Sequence, residues 1–125
     1  MIIGIGTDMV EIARIARYIE SSPAFFRDTF TPAEQLAGEN APDRADWFAA
    51  RFAAKEAVFK SIAHRTRGGF FDLRTVETLN HPDGAPYVHI TDALRPTLDE
   101  TGVAHIHISI TTEGGFAVAF VVAEG

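Results

Sequence analysis

The sequence has no cysteine in its 125 residues. This excludes disulfide bonds and metal sites built from thiolates. No apolar run approaches the roughly 20 residues that a membrane-spanning helix needs. The N-terminus also lacks the basic segment that precedes the apolar part of a signal peptide. Together these absences predict a cytoplasmic protein, and a first strand that begins at Met1 favours a free-standing one.

Basic residues are scarce as well, with 11 Lys and Arg against 17 Asp and Glu and a formal net charge of −6. This balance argues against a general role in nucleic-acid binding. Residues 44–67 are the exception, because six basic residues stand there against two acidic ones, a local charge of +4. A basic region of this kind attracts anions, although a solvated helix face is the alternative interpretation.

Hydrophobic residues make up 46% of the chain, which is enough for a core, and the length fits one domain covering 1–125. The predicted elements are strands at 1–7, 73–79, 86–91, 103–111 and 116–123 and helices at 10–19, 43–64 and 91–100. Thr31 and Glu34 form a capping box that predicts a further helix beginning at Pro32, and Asp43 can cap the longest helix. This order predicts an α+β fold with an antiparallel sheet. Gly4 and Gly6 indicate close approach of another backbone to the first strand, and Gly68 and Gly69 indicate a break after the longest helix.

Two carboxylates are the first candidates for chemistry. Asp8 follows the apolar first strand, where it either caps the next helix or projects into a cleft. Glu56 lies within the longest helix on the same face as Phe52 and Phe59, and a carboxylate on an apolar face needs a partner. The partner is either Lys60 one turn later or a Mg²⁺ ion, which carboxylates bind together with phosphate oxygens and water. Asp8, Glu56 and Lys60 would then form a compact pyrophosphate site.

Alternation along the penultimate strand places four polar side chains on one face: His105, His107, Ser109 and Thr111. Two histidines in this arrangement bind zinc when a third ligand is available, but the sequence offers no obvious one. An exposed sheet face is the simplest interpretation. A face that contacts an anion or a partner is the functional alternative.

Four segments resemble, in order and spacing, the motifs of the holo-[acyl-carrier-protein] synthases, and together they extend over essentially the whole chain. They are the opening segment 4–15 (GIGTDMVEIARI), the central helix segment 51–57 (RFAAKEA), the turn 83–86 (DGAP) and the segment 107–111 (HISIT) before the last apolar strand. The central helix segment is the most specific of the four.

The resemblance implies the 4′-phosphopantetheinyl transferase fold, with an antiparallel sheet packed on a long central helix. It also implies an enzyme that transfers the phosphopantetheine arm of coenzyme A to a serine of apo-acyl carrier protein and releases adenosine 3′,5′-bisphosphate. By matching position, Asp8 and Glu56 are expected to hold Mg²⁺ and Lys60 to contact the phosphates. Small members of this family form homotrimers with each site at a subunit interface.

Further positions follow from the same resemblance. The residues expected at the nucleotide end of coenzyme A are Arg51, Gly84, Pro86, His107 and Thr111. Arg14 and Arg17 lie on the helix that meets the acidic carrier protein in this family.

The chain departs from the family at Thr112, where many members have histidine. The acceptor of the serine proton is therefore expected to be Glu56 or a water molecule that it orders. Two other functions remain open from the sequence: a catalytically silent homologue that binds coenzyme A or acts as a scaffold, and an unrelated Mg²⁺-dependent phosphohydrolase. Retention of Asp8, Glu56 and Lys60 together favours an active transferase over the silent homologue.

Overall fold

The computed structural model describes residues 1–68 and 71–125, so that Gly69, one of the two glycines expected to follow the longest helix, lies outside the described residues. The strands are β1 (Ile2–Glu11), β2 (Val76–Asn80), β3 (Pro86–Ile90), β4 (His105–Glu113) and β5 (Phe116–Glu124). The helices are α1 (Ile12–Ser21), α2 (Pro23–Thr29), α3 (Pro32–Glu39), α4 (Arg44–Ile62) and α5 (Arg95–Thr101). Within the described residues, no helix combines the length and the apolar character needed to cross a membrane.

Three strands form an antiparallel sheet in the order β1-β5-β4, with β5 in the middle. The other two strands, β2 and β3, form a separate antiparallel hairpin. The long helix α4 packs on the inner face of the three-stranded sheet, where the small side chains of β5 are fully buried at Ala117, Ala119 and Ala123. The predicted α+β fold, with an antiparallel sheet on a long central helix, is confirmed.

Glycines on β1 bring the strand against α4. A Cβ atom on Gly4 would lie 1.9 Å from the carbonyl oxygen of Ser61, and one on Gly6 would lie 1.9 Å from the carbonyl oxygen of Ala57. Neither position has room for a side chain, because the nearest atom in each case is a carbonyl oxygen of the helix backbone. The close approach predicted from the two glycines is therefore confirmed.

Side-chain caps set the start of two helices as the sequence predicts. The Thr31 hydroxyl accepts a hydrogen bond from the Glu34 amide, and the Glu34 carboxylate accepts one from the Thr31 amide, so the capping box of α3 is complete. The Asp43 carboxylate accepts a hydrogen bond from the Asp46 amide at the start of α4. These caps satisfy amides that the helices themselves leave without partners.

A fully buried ion pair fastens the hairpin to the helical layer. The Lys55 ammonium lies 2.7 Å from Glu34 Oε1, and both side chains have no exposed surface. Lys55 also donates hydrogen bonds to the carbonyl oxygens of Leu73 (2.9 Å) and Val76 (2.7 Å). The second oxygen of Glu34 accepts a hydrogen bond from the amide of Thr78 in β2 (2.8 Å). The pair therefore links α3, α4 and the start of the hairpin.

The structure corrects the predicted boundary between the first strand and the first helix. The strand continues through Asp8, which lies opposite Ala119 of β5, and the helix begins at Ile12 rather than at residue 10. Asp8 is therefore not a helix cap, and Glu11 at the cap position makes no side-chain capping hydrogen bond. Pairing with β5 stabilises the extended conformation over a segment whose apolar spacing also suits a helix.

Two further boundaries differ from the predictions. Leu73–Thr75 forms a short 3₁₀ turn rather than the start of a strand, because the Asp72 carboxylate accepts a hydrogen bond from the Arg74 amide. The helix expected at 91–100 begins only at Arg95; the Thr91 hydroxyl accepts a hydrogen bond from the Leu94 amide in the turn before it.

The outer face of the sheet is apolar along β1 and β5 and polar along β4. Its exposed apolar side chains are Ile5, Met9, Phe116 and Phe120, whereas the outward residues of β4 are His105, His107, Ser109 and Thr111. The prediction of a buried first strand over residues 1–7 is therefore wrong for one of its faces, since Ile5 is 61% exposed. The alternation predicted for β4 is confirmed.

Candidate active site

Asp8 and Lys60 meet where β1 crosses α4. Lys60 Nζ lies 2.8 Å from Asp8 Oδ1 and also donates a hydrogen bond to the carbonyl oxygen of Thr7 (3.2 Å). The Asp8 side chain is 15% exposed, whereas that of Lys60 is half exposed. The contact is possible because Gly6, two residues before Asp8, lies directly on the helix backbone.

Glu56 faces the same group from the helix, one turn before Lys60. Burial raises the pKa of Glu56, the negative charge of Asp8 raises it further, and the positive charge of Lys60 opposes the shift. Two carboxylates therefore lie near one lysine, which leaves an excess of negative charge at a partly buried place. A cation bound between the carboxylates would relieve this repulsion.

The donor atoms at this place suit a hard divalent cation. Carboxylate oxygens are the protein ligands that Mg²⁺ uses, usually one or two of them, with water and phosphate oxygens filling the remaining positions. In the described parts of the chain, no group of three or more His, Cys, Asp or Glu side chains is arranged to hold a metal. Asp8 and Glu56 therefore suit an ion that takes most of its ligands from water and substrate, and the residues present fit Mg²⁺.

A second group of predicted residues lines a groove of about 290 Å³ beside the start of α4. The groove contains Arg51, Gly84, Pro86 and Thr111 among the residues expected at the nucleotide end of coenzyme A. Asp8, Glu56 and Lys60 do not line it. Within this one chain, the expected metal site and the expected nucleotide site are therefore not parts of a single groove.

Arg51 is held in this groove by two residues that the sequence patterns did not indicate. Its Nη2 donates a hydrogen bond to Asn80 Oδ1, and Asn80 Nδ2 donates one to the carbonyl oxygen of Gly84 (2.8 Å). Its guanidinium carbon lies 4.7 Å from the centre of the Trp47 ring. Helical spacing could have indicated Trp47, which precedes Arg51 by four residues; nothing local indicated Asn80, which lies 29 residues away.

His107 lies elsewhere, on the exposed face of β4. Its Nε2 is 3.0 Å from Glu124 Oε1, and the interaction lowers the pKa of Glu124. The rings of His105 and His107 are 6.3 Å apart, and the described residues place no third metal ligand with them. The described residues of this chain therefore give the zinc interpretation no support, and His107 does not line the groove that contains Arg51.

Arg14 and Arg17 are exposed on α1, as expected for residues that meet a partner. Arg17 lies 3.7 Å from Glu11, and the Arg14 guanidinium lies 5.4 Å from the centre of the Tyr18 ring. An ion pair of this length between exposed side chains contributes little to stability. Both arginines therefore remain available for contacts with another molecule.

The fold and the comparisons with known proteins identify a transferase of the class that the sequence resembles. The model of the 4′-phosphopantetheinyl transferase superfamily matches residues 4–121, and the chain belongs to this superfamily. A holo-[acyl-carrier-protein] synthase of Anaeromyxobacter dehalogenans (strain 2CP-C) is 38% identical over 129 residues, which covers 100% of this chain and 98% of the relative.

Solved structures agree with the sequence relatives. The crystal structure of a holo-[acyl-carrier-protein] synthase from Neisseria meningitidis superposes with a TM-score of 0.87 at 34% identity and covers 100% of both chains. That of a holo-[acyl-carrier-protein] synthase from Helicobacter pylori, in complex with coenzyme A, gives a TM-score of 0.80 at 26% identity. The match covers 96% of this chain and 99% of the H. pylori chain.

Proposed function

We propose that this protein transfers the 4′-phosphopantetheine arm of coenzyme A to a serine of apo-acyl carrier protein and releases adenosine 3′,5′-bisphosphate. The observation that carries the proposal is the meeting of Asp8, Glu56 and Lys60 at the crossing of β1 and α4. It is supported by the match along the full length to relatives named holo-[acyl-carrier-protein] synthase and by the complex of one of them with coenzyme A.

Asp8 and Glu56 would hold Mg²⁺ in this reaction. The ion, when bound, would neutralise charge on the pyrophosphate and make the attacked phosphorus more electrophilic. Lys60, half exposed beside Asp8, contributes a further positive charge for a phosphate oxygen. Because phosphoryl transfer depends mainly on positioning and electrostatics, these groups supply most of what the reaction needs.

The serine hydroxyl attacks the phosphorus that carries the pantetheine arm. The bond from that phosphorus to the bridging oxygen breaks, and this oxygen leaves with the 5′-phosphate of the nucleotide. The serine proton passes to Glu56 or to a water molecule that Glu56 holds. Thr112, where many family members have histidine, takes no part in this proton transfer.

Arg51 and the groove around it would bind the nucleotide end of coenzyme A, with Gly84, Pro86 and Thr111 as the other contacts. This groove lacks Asp8 and Glu56, so one coenzyme A molecule would need the metal site of one chain and the groove of another. We therefore propose a homotrimer with active sites at the subunit interfaces, in which His107 on the outer face of β4 also reaches the nucleotide.

The apolar outer face of β1 and β5 supports such an assembly, because contiguous exposed apolar surface marks an interaction site. Replacement of Phe120 with glutamate should yield monomers in light scattering after size exclusion, with loss of transfer. Leu36→Glu is the matched control, since Leu36 is also apolar and exposed but lies on α3. A monomeric wild-type protein with full activity would contradict the interfacial site.

The activity is tested by mass spectrometry of apo-acyl carrier protein after incubation with coenzyme A and Mg²⁺. We expect one serine to gain the arm, EDTA to stop the reaction, and Asp8→Asn and Glu56→Gln each to abolish it without changing the circular dichroism spectrum. Asp99→Asn, which changes an exposed carboxylate on α5 in the same way, is the control. Absence of any modification by the wild-type protein would favour a silent homologue, and cleavage of coenzyme A without carrier would favour a phosphohydrolase.

The carrier-binding role of Arg14 and Arg17 has its own readout. Reversal of both charges, Arg14→Glu and Arg17→Glu, should raise the KM for the carrier protein and leave the KM for coenzyme A unchanged, because acidic carriers approach a basic surface. Equal effects on both substrates would contradict a role at the carrier surface.

A further inference from the structure

Arg51 is an arginine with little exposure and no acidic partner. Its residue surface is only 5% exposed. No Asp or Glu oxygen lies within 4.0 Å of its guanidinium among residues 1–68 and 71–125, and its buried Nε has no hydrogen-bond partner there. Burial lowers the pKa of Arg51 to about 10, against the opposing effect of the more distant Glu34 carboxylate, so the side chain is still charged at neutral pH. A buried charge of this kind is costly unless an anion joins it.

The ring of Trp47 stabilises the Arg51 guanidinium, which has no carboxylate partner in the described part of the chain. Trp47 precedes Arg51 by one helical turn, and its ring centre is 4.7 Å from the guanidinium carbon. The ring is itself fixed by edge-to-face packing on Phe48, which is fully buried (5.3 Å between ring centres, 84° between planes). The attraction between a cation and an aromatic face leaves the cation charged. A carboxylate in contact with Arg51 would compensate its charge and compete with an anionic ligand; Asp43 and Asp46 line the same groove but form no ion pair with Arg51.

We propose that Trp47 is a positioning residue for the nucleotide end of coenzyme A: its ring holds the Arg51 guanidinium in the groove, so that the charge stays free for the 3′-phosphate. Asn80 fixes the other side of the guanidinium through its hydrogen bond. The proposal rests on the proposed transferase function, since it names a residue that determines affinity for that substrate. It adds a chemical distinction, because the positioned charge favours nucleotides that carry a 3′-phosphate.

Binding is measured first, without any transfer reaction. Trp47 is the single tryptophan of the chain, so adenosine 3′,5′-bisphosphate should change the intrinsic fluorescence of the wild-type protein, and adenosine 5′-monophosphate at the same concentration should change it much less. In calorimetry, Trp47→Leu should weaken binding of the bisphosphate about tenfold. Trp47→Phe, which keeps an aromatic face, should stay within about threefold of the wild type.

Steady-state kinetics then separate positioning from general damage to the fold. Trp47→Leu should raise the KM for coenzyme A about tenfold with kcat nearly unchanged, and it should alter the KM for dephospho-coenzyme A much less, because that substrate lacks the 3′-phosphate. Tyr18→Leu is the matched control: it removes the ring beneath another arginine, Arg14, on a different helix. It should leave the KM for coenzyme A as in the wild type.

The inference is overturned if Trp47→Leu binds the bisphosphate as tightly as the wild type. It is also overturned if Trp47→Leu and Trp47→Phe lose the same affinity, or if coenzyme A and dephospho-coenzyme A are affected alike. These results would leave the transferase function standing. Conversely, a wild-type protein that binds the bisphosphate with the expected variant pattern but modifies no carrier would contradict the proposed function and support the role of Trp47.

Discussion

The substitution Gly6→Ala tests whether backbone contact between β1 and α4 sets the geometry of the two carboxylates. The added Cβ would lie 1.9 Å from the carbonyl oxygen of Ala57, whereas real Cβ atoms essentially never approach another atom within 3.0 Å. The strand and the helix would have to separate by about 1 Å, since neither backbone atom can turn aside. Overpacking of this kind costs about 1–3 kcal/mol of folding free energy.

The effect on catalysis should be larger than the effect on stability suggests. Asp8 lies two residues after Gly6 and Glu56 directly precedes Ala57, so the added methyl group separates the carboxylates themselves. A displacement of about 1 Å in catalytic groups can lower the rate about a hundredfold. We expect Gly6→Ala to lower kcat by about that factor at a temperature where the variant is fully folded.

Gly38→Ala is the matched control, because its Cβ would lie 2.3 Å from the ring of Phe48 in the aromatic core rather than against the strand–helix contact. It should lose stability in urea denaturation and keep a nearly normal kcat. The reasoning is refuted if folded Gly6→Ala transfers the arm at the wild-type rate. It is refuted equally if the two variants lose kcat to the same extent, since stability alone would then explain both.

Three further predictions concern the charged groups. Lys55→Met should lower the free energy of unfolding in urea by about 3–5 kcal/mol, because it leaves Glu34 buried without its partner. The double variant Lys55→Met/Glu34→Gln should lose less than the sum of the losses in the two single variants. Strict additivity would contradict the coupling. Asp8→Asn should lower the pKa of Glu56 in a ¹³C NMR titration by removing a nearby negative charge, and an unchanged pKa would show that burial alone raises it. Mg²⁺ should raise the melting temperature of the wild type but not that of Glu56→Gln. The increase in the wild type should become smaller as the pH falls toward the raised pKa of Glu56, because the ion needs the ionised carboxylate. Equal stabilisation of both proteins would place the ion elsewhere.

Local signals in the sequence predicted much of the fold. The caps at Thr31 and Asp43 act on amides within three residues, so their effect is visible in the sequence itself. The close approach predicted from the glycines of β1 is also confirmed, because a residue without a side chain inside an apolar strand often lies where a second backbone comes close. The predicted helix start at residue 10 is wrong because the extension of β1 to Glu11 depends on pairing with β5. This pairing is a long-range interaction, and it outweighs the local helical periodicity.

In the candidate site, too, local patterns were predictive and long-range contacts were not. The residue patterns and the resemblance both predict a site of Asp8, Glu56 and Lys60, and the structure places Lys60 on Asp8 with Glu56 close enough for both charges to affect its pKa. Asn80 was missed because its role depends on a contact across 29 residues of sequence. Glu34 was recognised only as part of a capping box, although its carboxylate is also the buried partner of Lys55. One side chain with both a local and a distant role cannot be fully interpreted from local spacing.

The buried contact between Lys55 and Glu34 also restricts how the hairpin can dock during folding. Apolar surfaces tolerate sliding, because one methyl group replaces another at small cost, whereas these two groups each need particular partners in β2 and the turn before it. A shift of the hairpin by one residue would leave a buried ammonium or carboxylate without those partners, at a cost of about 3–5 kcal/mol. Misdocked hairpins should therefore be populated at well below one per cent. The turn that contains Gly84 accordingly packs beside Arg51 in a single register.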